Sequence, residues 1–162
     1  TLILRKIFRE PKIQRWDILE KDLVDEIIFR TRNRRDRLML ELMARGGMRV
    51  GEVLKIRVCD VIDQKIILQD PKSGKELEAV YIPKKVAVRL KEFLRDKDLR
   101  SNQRIFPFGY SRARDIVLTA GKMVNIRLRS HDLRRHAATY ASRAGTPIEI
   151  VSKVILRLFF YS

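Results

Sequence analysis

The spacing of apolar residues constrains the fold most, because it changes twice along the 162-residue chain. Apolar residues recur with the three-or-four-residue period of an amphipathic helix from Leu19 to Ile28 and, after a basic run, again from Leu38 to Met43. Between Lys65 and Ile82 the pattern approaches the alternation of a half-buried strand. After Pro83 the helical period returns. This order predicts an α+β domain that is mostly helical and carries a small antiparallel β-hairpin or sheet.

End signals place the first three helices. Asp17 and Glu20 have the spacing of a capping box, so the first helix is predicted to begin there. The second helix should end at the two glycines Gly46 and Gly47, which suit a helix C-terminus. Its inward residues should be Leu38, Met39, Leu42 and Met43. A short third helix is expected from Val50 through Lys55.

The remaining elements follow from turn and capping residues. Two strands are predicted, Lys65–Leu68 and Leu77–Ile82, and the turn chemistry of Asp70–Gly74 between them makes a hairpin with a lysine at its tip. Later helices should begin after Pro83, at Ser111, at His131 and at Thr146, where Pro147 and Glu149 complete a helix start. The first dozen residues lack a helical period and predict an extended arm.

Charge points to a polyanionic partner. The chain has 36 Lys and Arg against 20 Asp and Glu, a net charge of +16, and 45% of its residues are hydrophobic. A single compact domain with such an excess most often binds nucleic acid. A membrane surface is the weaker alternative, because no lipidation motif is evident. The single cysteine, Cys59, excludes an internal disulfide and, without a signal peptide, predicts a cytoplasmic location.

Three cationic segments could carry chemistry. Arg49 follows the two glycines, and Glu52 one turn on could orient its guanidinium for phosphate binding. Lys72 lies at the predicted hairpin tip, where Lys75 competes for the same role. His131 and Arg134 share a helix face, and together they suit a phosphoryl group in transfer. The alternatives are a surface ion pair, a solvated turn lysine and a histidine that only starts a helix.

Taken in order, these segments resemble the catalytic domain of the tyrosine recombinases, the phage integrase family, from Trp16 to Leu156. The resemblance implies attack by a tyrosine on a DNA phosphodiester, which forms a 3′-phosphotyrosyl link without metal or cofactor. Arg49 and Arg134 would then hold the non-bridging oxygens, with Glu52 in support. Lys72 would protonate the leaving 5′-oxygen and His131 would assist proton transfer.

The C-terminal end departs from the family pattern. Arg157 or Leu158 stands where a further histidine is expected, and Tyr161, the candidate nucleophile, follows too soon. Tyr161 could instead pack with the neighbouring phenylalanines. The predicted organisation is a linker or arm over residues 1–15 and a catalytic domain over residues 16–162 that is incomplete at its C-terminus, without the N-terminal core-binding domain. Tyr140 and His136 lie inside the predicted helix that carries His131 and Arg134, and both are expected to be structural.

Double-stranded DNA is the expected partner, with nucleoid association. The basic residues expected to contact it are Arg32, Arg34, Arg35, Lys75 and Arg135. The apolar segment from Leu158 to Phe160 suggests self-association on DNA. The alternative function is a non-catalytic DNA-binding protein or an integrase relic that keeps the fold. Binding of RNA is a third alternative, and it lacks support because no aromatic stacking platform is visible.

Overall fold

The structure is a computed structural model that describes residues 18–68 and 78–143. Six α-helices, one short 3-10 helix (Val58–Asp60) and three strands lie within these residues. In chain order they are α1 (Lys21–Arg30), α2 (Arg34–Ala44), α3 (Val50–Lys55), the 3-10 helix, β1 (Val61–Ile62), β2 (Lys65–Leu68), β3 (Glu78–Tyr81), α4 (Lys84–Lys97), α5 (Tyr110–Lys122) and α6 (Ser130–Arg143). The strands form one antiparallel sheet in the order β1-β2-β3. The predicted α+β class with a dominant helical part is therefore confirmed.

Helix α2 lies at the centre of the core. It packs against α1, α3, α4 and α6, and every residue from Leu38 to Ala44 is buried. The four residues expected to point inward are each no more than 3% exposed. A helix surrounded on all sides needs apolar residues all round. The exception is Glu41, whose carboxylate is 1% exposed and ion-paired.

The corner between α2 and α3 depends on its two glycines. Gly47 has a φ of +67°, a conformation that residues with a Cβ rarely adopt. A Cβ on Gly46 would lie 2.6 Å from the carbonyl oxygen of Leu42, so no larger residue fits without movement. The chain can therefore turn sharply into α3, which spans the predicted residues Val50–Lys55.

The first helix begins later than its sequence pattern predicts. Helix α1 starts at Lys21, so Glu20 occupies the N-cap position instead of the third helical position, and its side chain makes no capping hydrogen bond. Its carboxylate instead accepts a hydrogen bond from the hydroxyl of Tyr140 at 2.8 Å. This contact across the fold satisfies the carboxylate that the capping box would have used. Asp17 lies outside the described residues.

Other boundaries differ by a residue or two. Helices α5 and α6 each begin one residue before the predicted starts Ser111 and His131. Strand β2 matches its prediction, and β3 is described from Glu78 to Tyr81. The N–H of Ile82 donates to the carbonyl of Gln64. Strand β1 was missed because two residues are too few to show a period. The predicted turn at Asp70–Gly74 and the helix from Thr146 lie outside the described residues.

Candidate active site

A pocket of about 580 Å³ lies between α3, β2, α5 and the start of α6. Its size is in the range of pockets that hold small ligands or groups of larger ones. Six cationic side chains and two carboxylates line it: Arg49, Lys55, Arg114, Arg127, Arg129 and Arg134, with Glu52 and Asp60. His131 lines the same pocket. The imbalance of charge favours an anionic occupant.

Arg49 is held at the corner by its own backbone. It is the N-cap residue of α3, and its N–H donates to Oε2 of Glu52 at 2.8 Å. The other carboxylate oxygen, Oε1, lies 3.6 Å from Nη1 of Arg49, which is an ion pair rather than a hydrogen bond. Glu52 therefore supports Arg49 mainly by fixing the backbone from which the guanidinium projects.

Arg134 joins α6 to the same corner. Its side chain is 3% exposed, and Nε donates to the carbonyl oxygen of Gly47 at 3.1 Å. Burial of a guanidinium is costly unless its N–H groups find acceptors. Gly47 lies two residues before Arg49. The same turn of backbone therefore carries Arg49 and binds the side chain of Arg134 through the Gly47 carbonyl. Two arginines 85 positions apart in sequence thus line one pocket.

His131 enters the pocket from the first turn of α6 and is exposed. The start of this helix is fixed by Asp132, whose Oδ2 accepts the N–H of Arg129 at 2.9 Å. Glu52 holds the N–H of Arg49 in the same way at the start of α3. Both pocket arginines at these helix starts therefore have a backbone position set by an acid three residues later.

Residues 18–155 match the family model described as the phage integrase family. The chain belongs to the phage integrase family. A tyrosine recombinase XerA of Saccharolobus solfataricus is 24% identical over 149 residues, which cover 90% of this chain and 50% of the relative. The chain thus spans about half the length of this relative.

Solved structures share the fold of this integrase-family chain. The crystal structure of XerA recombinase superposes with a TM-score of 0.74 at 21% identity, covering 85% of this chain and 53% of that one. The Tn1549 transposon integrase, solved in complex with circular intermediate DNA, has a TM-score of 0.62 at 13% identity, covering 84% and 56%. At these identities the likeness concerns the fold.

Several pocket residues of the integrase-family chain were missed by the sequence reasoning. Tyr110 and Arg114 lie one turn apart on α5 and both line the pocket, and Lys55 ends α3 beside them. Arg127 and Arg129 flank Leu128, which is 1% exposed. This alternation directly before His131 was the available signal, because a buried residue between two arginines places both guanidinium groups on one side.

The described residues that were expected to contact DNA do not line the pocket. Arg34 pairs with Asp96 at 2.7 Å, and the Arg35 guanidinium lies 4.9 Å from the ring centre of Phe108. Arg32 is exposed, and none of these three arginines lines the pocket. Arg135 pairs with Asp132 at 3.6 Å. Lys72, Lys75 and Tyr161 lie outside the described residues, so their roles stay predictions.

His136 and Tyr140 connect α6 to the start of α1. The His136 ring is buried, its Nδ1 lies 2.7 Å from the carbonyl oxygen of Leu19, and it faces the Tyr140 ring at 4.4 Å. Burial lowers the pKa of His136. Tyr140 donates to Glu20 and accepts the N–H of Lys21 at 3.2 Å. Both side chains therefore serve the fold, as the sequence indicated.

The described tyrosines are Tyr81, Tyr110 and Tyr140, and among them only Tyr110 lines the pocket. Residues 18–68 and 78–143 contain no group of three or more His, Cys, Asp or Glu side chains that could hold a metal ion. The same residues contain no helix long and apolar enough to cross a membrane. The pocket offers cationic side chains, a histidine and a phenol beside the carboxylates of Glu52 and Asp60.

Proposed function

We propose that this chain cuts and rejoins DNA strands in site-specific recombination, through a 3′-phosphotyrosyl intermediate. The observation that carries the proposal is the meeting of Arg49, Arg134 and His131 in one cationic pocket built on the Gly47 corner. Two guanidinium groups can hold the two non-bridging oxygens of one phosphodiester. Family membership supports the same reaction.

The proposed steps balance without an added cofactor. The hydroxyl of a tyrosine, for which we propose Tyr161, attacks phosphorus while the bond to the 5′-oxygen breaks. Arg49 and Arg134 stabilise the charge that develops on the non-bridging oxygens. Lys72 gives a proton to the leaving oxygen, and His131 helps to remove the proton of the attacking hydroxyl. The roles of Lys72 and Tyr161 rest on the sequence resemblance.

The partner we propose is double-stranded DNA, which would place the protein with the nucleoid. The net charge of +16 and the excess of cations in the pocket support it. The Tn1549 integrase, which shares the fold, was solved with DNA. Binding should weaken steeply with salt, because phosphate contacts release counterions. We also propose that the segment from Leu158 to Phe160 mediates self-association on DNA.

Covalent trapping tests the reaction. The protein is mixed with pooled nicked duplex fragments from its source genome, denatured in SDS and examined for DNA-linked protein, and peptide mapping locates the link. We expect an adduct on Tyr161. An adduct on Tyr110 would keep the reaction and move the nucleophile to the tyrosine that lines the pocket. Duplex binding without any adduct would favour a non-catalytic DNA-binding protein.

Two variants test the pocket. Arg49→Ala and Arg134→Ala should each abolish the adduct and leave duplex binding within severalfold. Because Arg134 is buried, Arg134→Lys serves as a second variant that keeps the charge and loses the planar fork. Arg112→Ala is the matched control, since Arg112 is exposed on α5 and does not line the pocket. Unchanged adduct formation by Arg49→Ala would overturn the assignment.

A further inference from the structure

Three arginines of the pocket have no carboxylate partner in the part of the chain that the structure describes. Arg114, Arg127 and Arg129 are exposed, line the pocket and make no ion pair with any residue in 18–68 or 78–143. Arg49 and Arg134, in contrast, are fixed by Glu52 and by the carbonyl of Gly47. Cations that line one pocket and make no ion pair favour an anionic ligand.

The backbone that carries two of these arginines is firmly placed. Leu128 packs against Gly121 so closely that a Cβ on Gly121 would lie 2.5 Å from the Leu128 Cβ. The N–H of Ile126 donates to the carbonyl of Gly121 at 3.0 Å, and Asn125 takes the left-handed φ of +58° that the turn requires. The segment from Arg127 to Arg129 is thereby held against the end of α5.

The arrangement exceeds what one phosphate needs. A phosphodiester carries a single negative charge, and Arg49 and Arg134 already supply two guanidinium groups. Arg127 and Arg129 lie two residues apart in the segment before α6, and both line the pocket. A DNA strand presents a phosphate for about every 3.4 Å of helix axis. Guanidinium groups at further positions of the pocket can therefore contact neighbouring phosphates of the strand whose central phosphate Arg49 and Arg134 hold.

We infer that Arg114, Arg127 and Arg129 form a second anion-binding subsite, which holds the phosphates that flank the one bound by Arg49 and Arg134. The inference rests on the proposed function for the identity of the reacting phosphate. Arg114 contributes from α5, and the other two contribute from the segment before α6. The subsite makes the pocket selective for a polynucleotide strand over an isolated phosphoester.

The two histidines of the chain provide a direct readout. His131 lines the pocket and His136 is buried elsewhere, so their imidazole signals in an NMR spectrum report separately on the ligand. The full chain is titrated with inorganic phosphate, a thymidine dinucleotide with one phosphodiester and a thymidine tetranucleotide with three. We expect the Kd read from His131 to fall about tenfold from the dinucleotide to the tetranucleotide.

Single variants then show which arginines produce the lower Kd for the tetranucleotide. Arg114→Ala, Arg127→Ala and Arg129→Ala should each remove most of the difference in Kd between the two oligonucleotides, and each should weaken binding of the tetranucleotide more than binding of the dinucleotide. Arg112→Ala is the matched control. It is exposed on α5, has no ion-pair partner among residues 18–68 and 78–143, and does not line the pocket. Arg112→Ala should keep the full difference in Kd between the dinucleotide and the tetranucleotide.

Three results would overturn the subsite. The first is an equal Kd for the dinucleotide and the tetranucleotide in the unmodified protein. The second is a lower Kd for the tetranucleotide that persists in all three variants. The third is a loss of this difference in Arg112→Ala as large as in the three variants. The titration involves no cleavage, so it is independent of the trapping experiment. A length gain that depends on these arginines, together with no covalent adduct, would leave the subsite standing while the proposed recombination fails.

Discussion

Arginine serves two regions of this molecule in opposite ways. In the first region, which we call the charge network, Asp25, Glu41, Arg45 and Arg89 join α1, α2 and α4. Arg45 lies 2.9 Å from Asp25 and 2.8 Å from Glu41, and Arg89 lies 2.5 Å from Glu41. In the second region, the pocket, several arginines face solvent with few carboxylates nearby.

The difference shows which part of the net charge of +16 can bind a ligand. The charge network holds two arginines and two acids, so its net charge is zero. Its ion pairs join helices of the fold and do not add to the positive potential of the surface. At the pocket the acids that are present also serve the backbone, because Glu52 accepts the N–H of Arg49 and Asp60 accepts that of Arg57. Arg114, Arg127 and Arg129, which make no ion pair with residues 18–68 or 78–143, add positive charge there that can attract a polyanion.

Removal of the central acid should produce the largest effect. Glu41→Ala removes a carboxylate that is 1% exposed and that two partly exposed guanidinium groups share, and leaving such donors without their acceptor costs about 1–3 kcal/mol. Urea unfolding followed by circular dichroism measures the loss of unfolding free energy. The exposed acid Glu92 on α4 is the control, and Glu92→Ala should stay within about 0.5 kcal/mol. Equal losses for the two variants would show that the charge network contributes nothing special.

The pH dependence of stability should be smaller and should come from the neighbourhood of the charge network. Burial lowers the pKa of His136 below its usual 6.5, and the hydrogen bond to Leu19 and the charge of Asp25 oppose this only in part. Below pH 6.5 the unfolded chain therefore binds a proton that the folded chain resists. The free energy of unfolding should decrease as the pH falls from 6.5 through the lower folded pKa.

His136→Gln checks this assignment, because glutamine can still donate to the Leu19 carbonyl and does not titrate. Between pH 7 and the folded pKa of His136, the free energy of unfolding of His136→Gln should decrease less than that of the unmodified protein. Asp25 does not interfere. Burial raises its pKa, the hydrogen bonds from Lys21 and Arg45 outweigh burial, and the net lowering acts below pH 3.8. A slope near pH 6 that persists unchanged in His136→Gln would assign it to another group.

The two regions also differ in how far the sequence predicts them. Arg49, His131 and Arg134 could be identified because each stands in a local pattern of glycine, acid and helix start. Glu41 could not, since it lies inside the run Leu38–Ala44 and its burial depends on four other helices packing around α2. Local patterns predict helix ends, whereas burial of a charge depends on tertiary packing.

The same argument explains the missed pocket residues. Arg114 resembles any exposed arginine on α5, and only the packing of that helix places one of its faces in the pocket. The fold class was predictable because apolar period is a property of the chain itself. Strand β1 was not, because two residues carry no period and its pairing with Lys65 and Ile66 is a contact between elements.

The smallest effect on stability is expected at the pocket itself. Arg127→Ala removes a side chain that is exposed and has no ion-pair partner in residues 18–68 or 78–143. Substitutions at such positions usually change the unfolding free energy by less than about 0.5 kcal/mol. Arg89→Ala, measured by the same urea unfolding, is the counterpart in the charge network and should cost clearly more, because it removes a partner of buried Glu41. If Arg127→Ala raised the stability instead, the gain would measure repulsion among the pocket cations and would sharpen the contrast between the two regions. A loss as large as that of Arg89→Ala would abolish the contrast, since the pocket arginines would then be part of what holds the fold together.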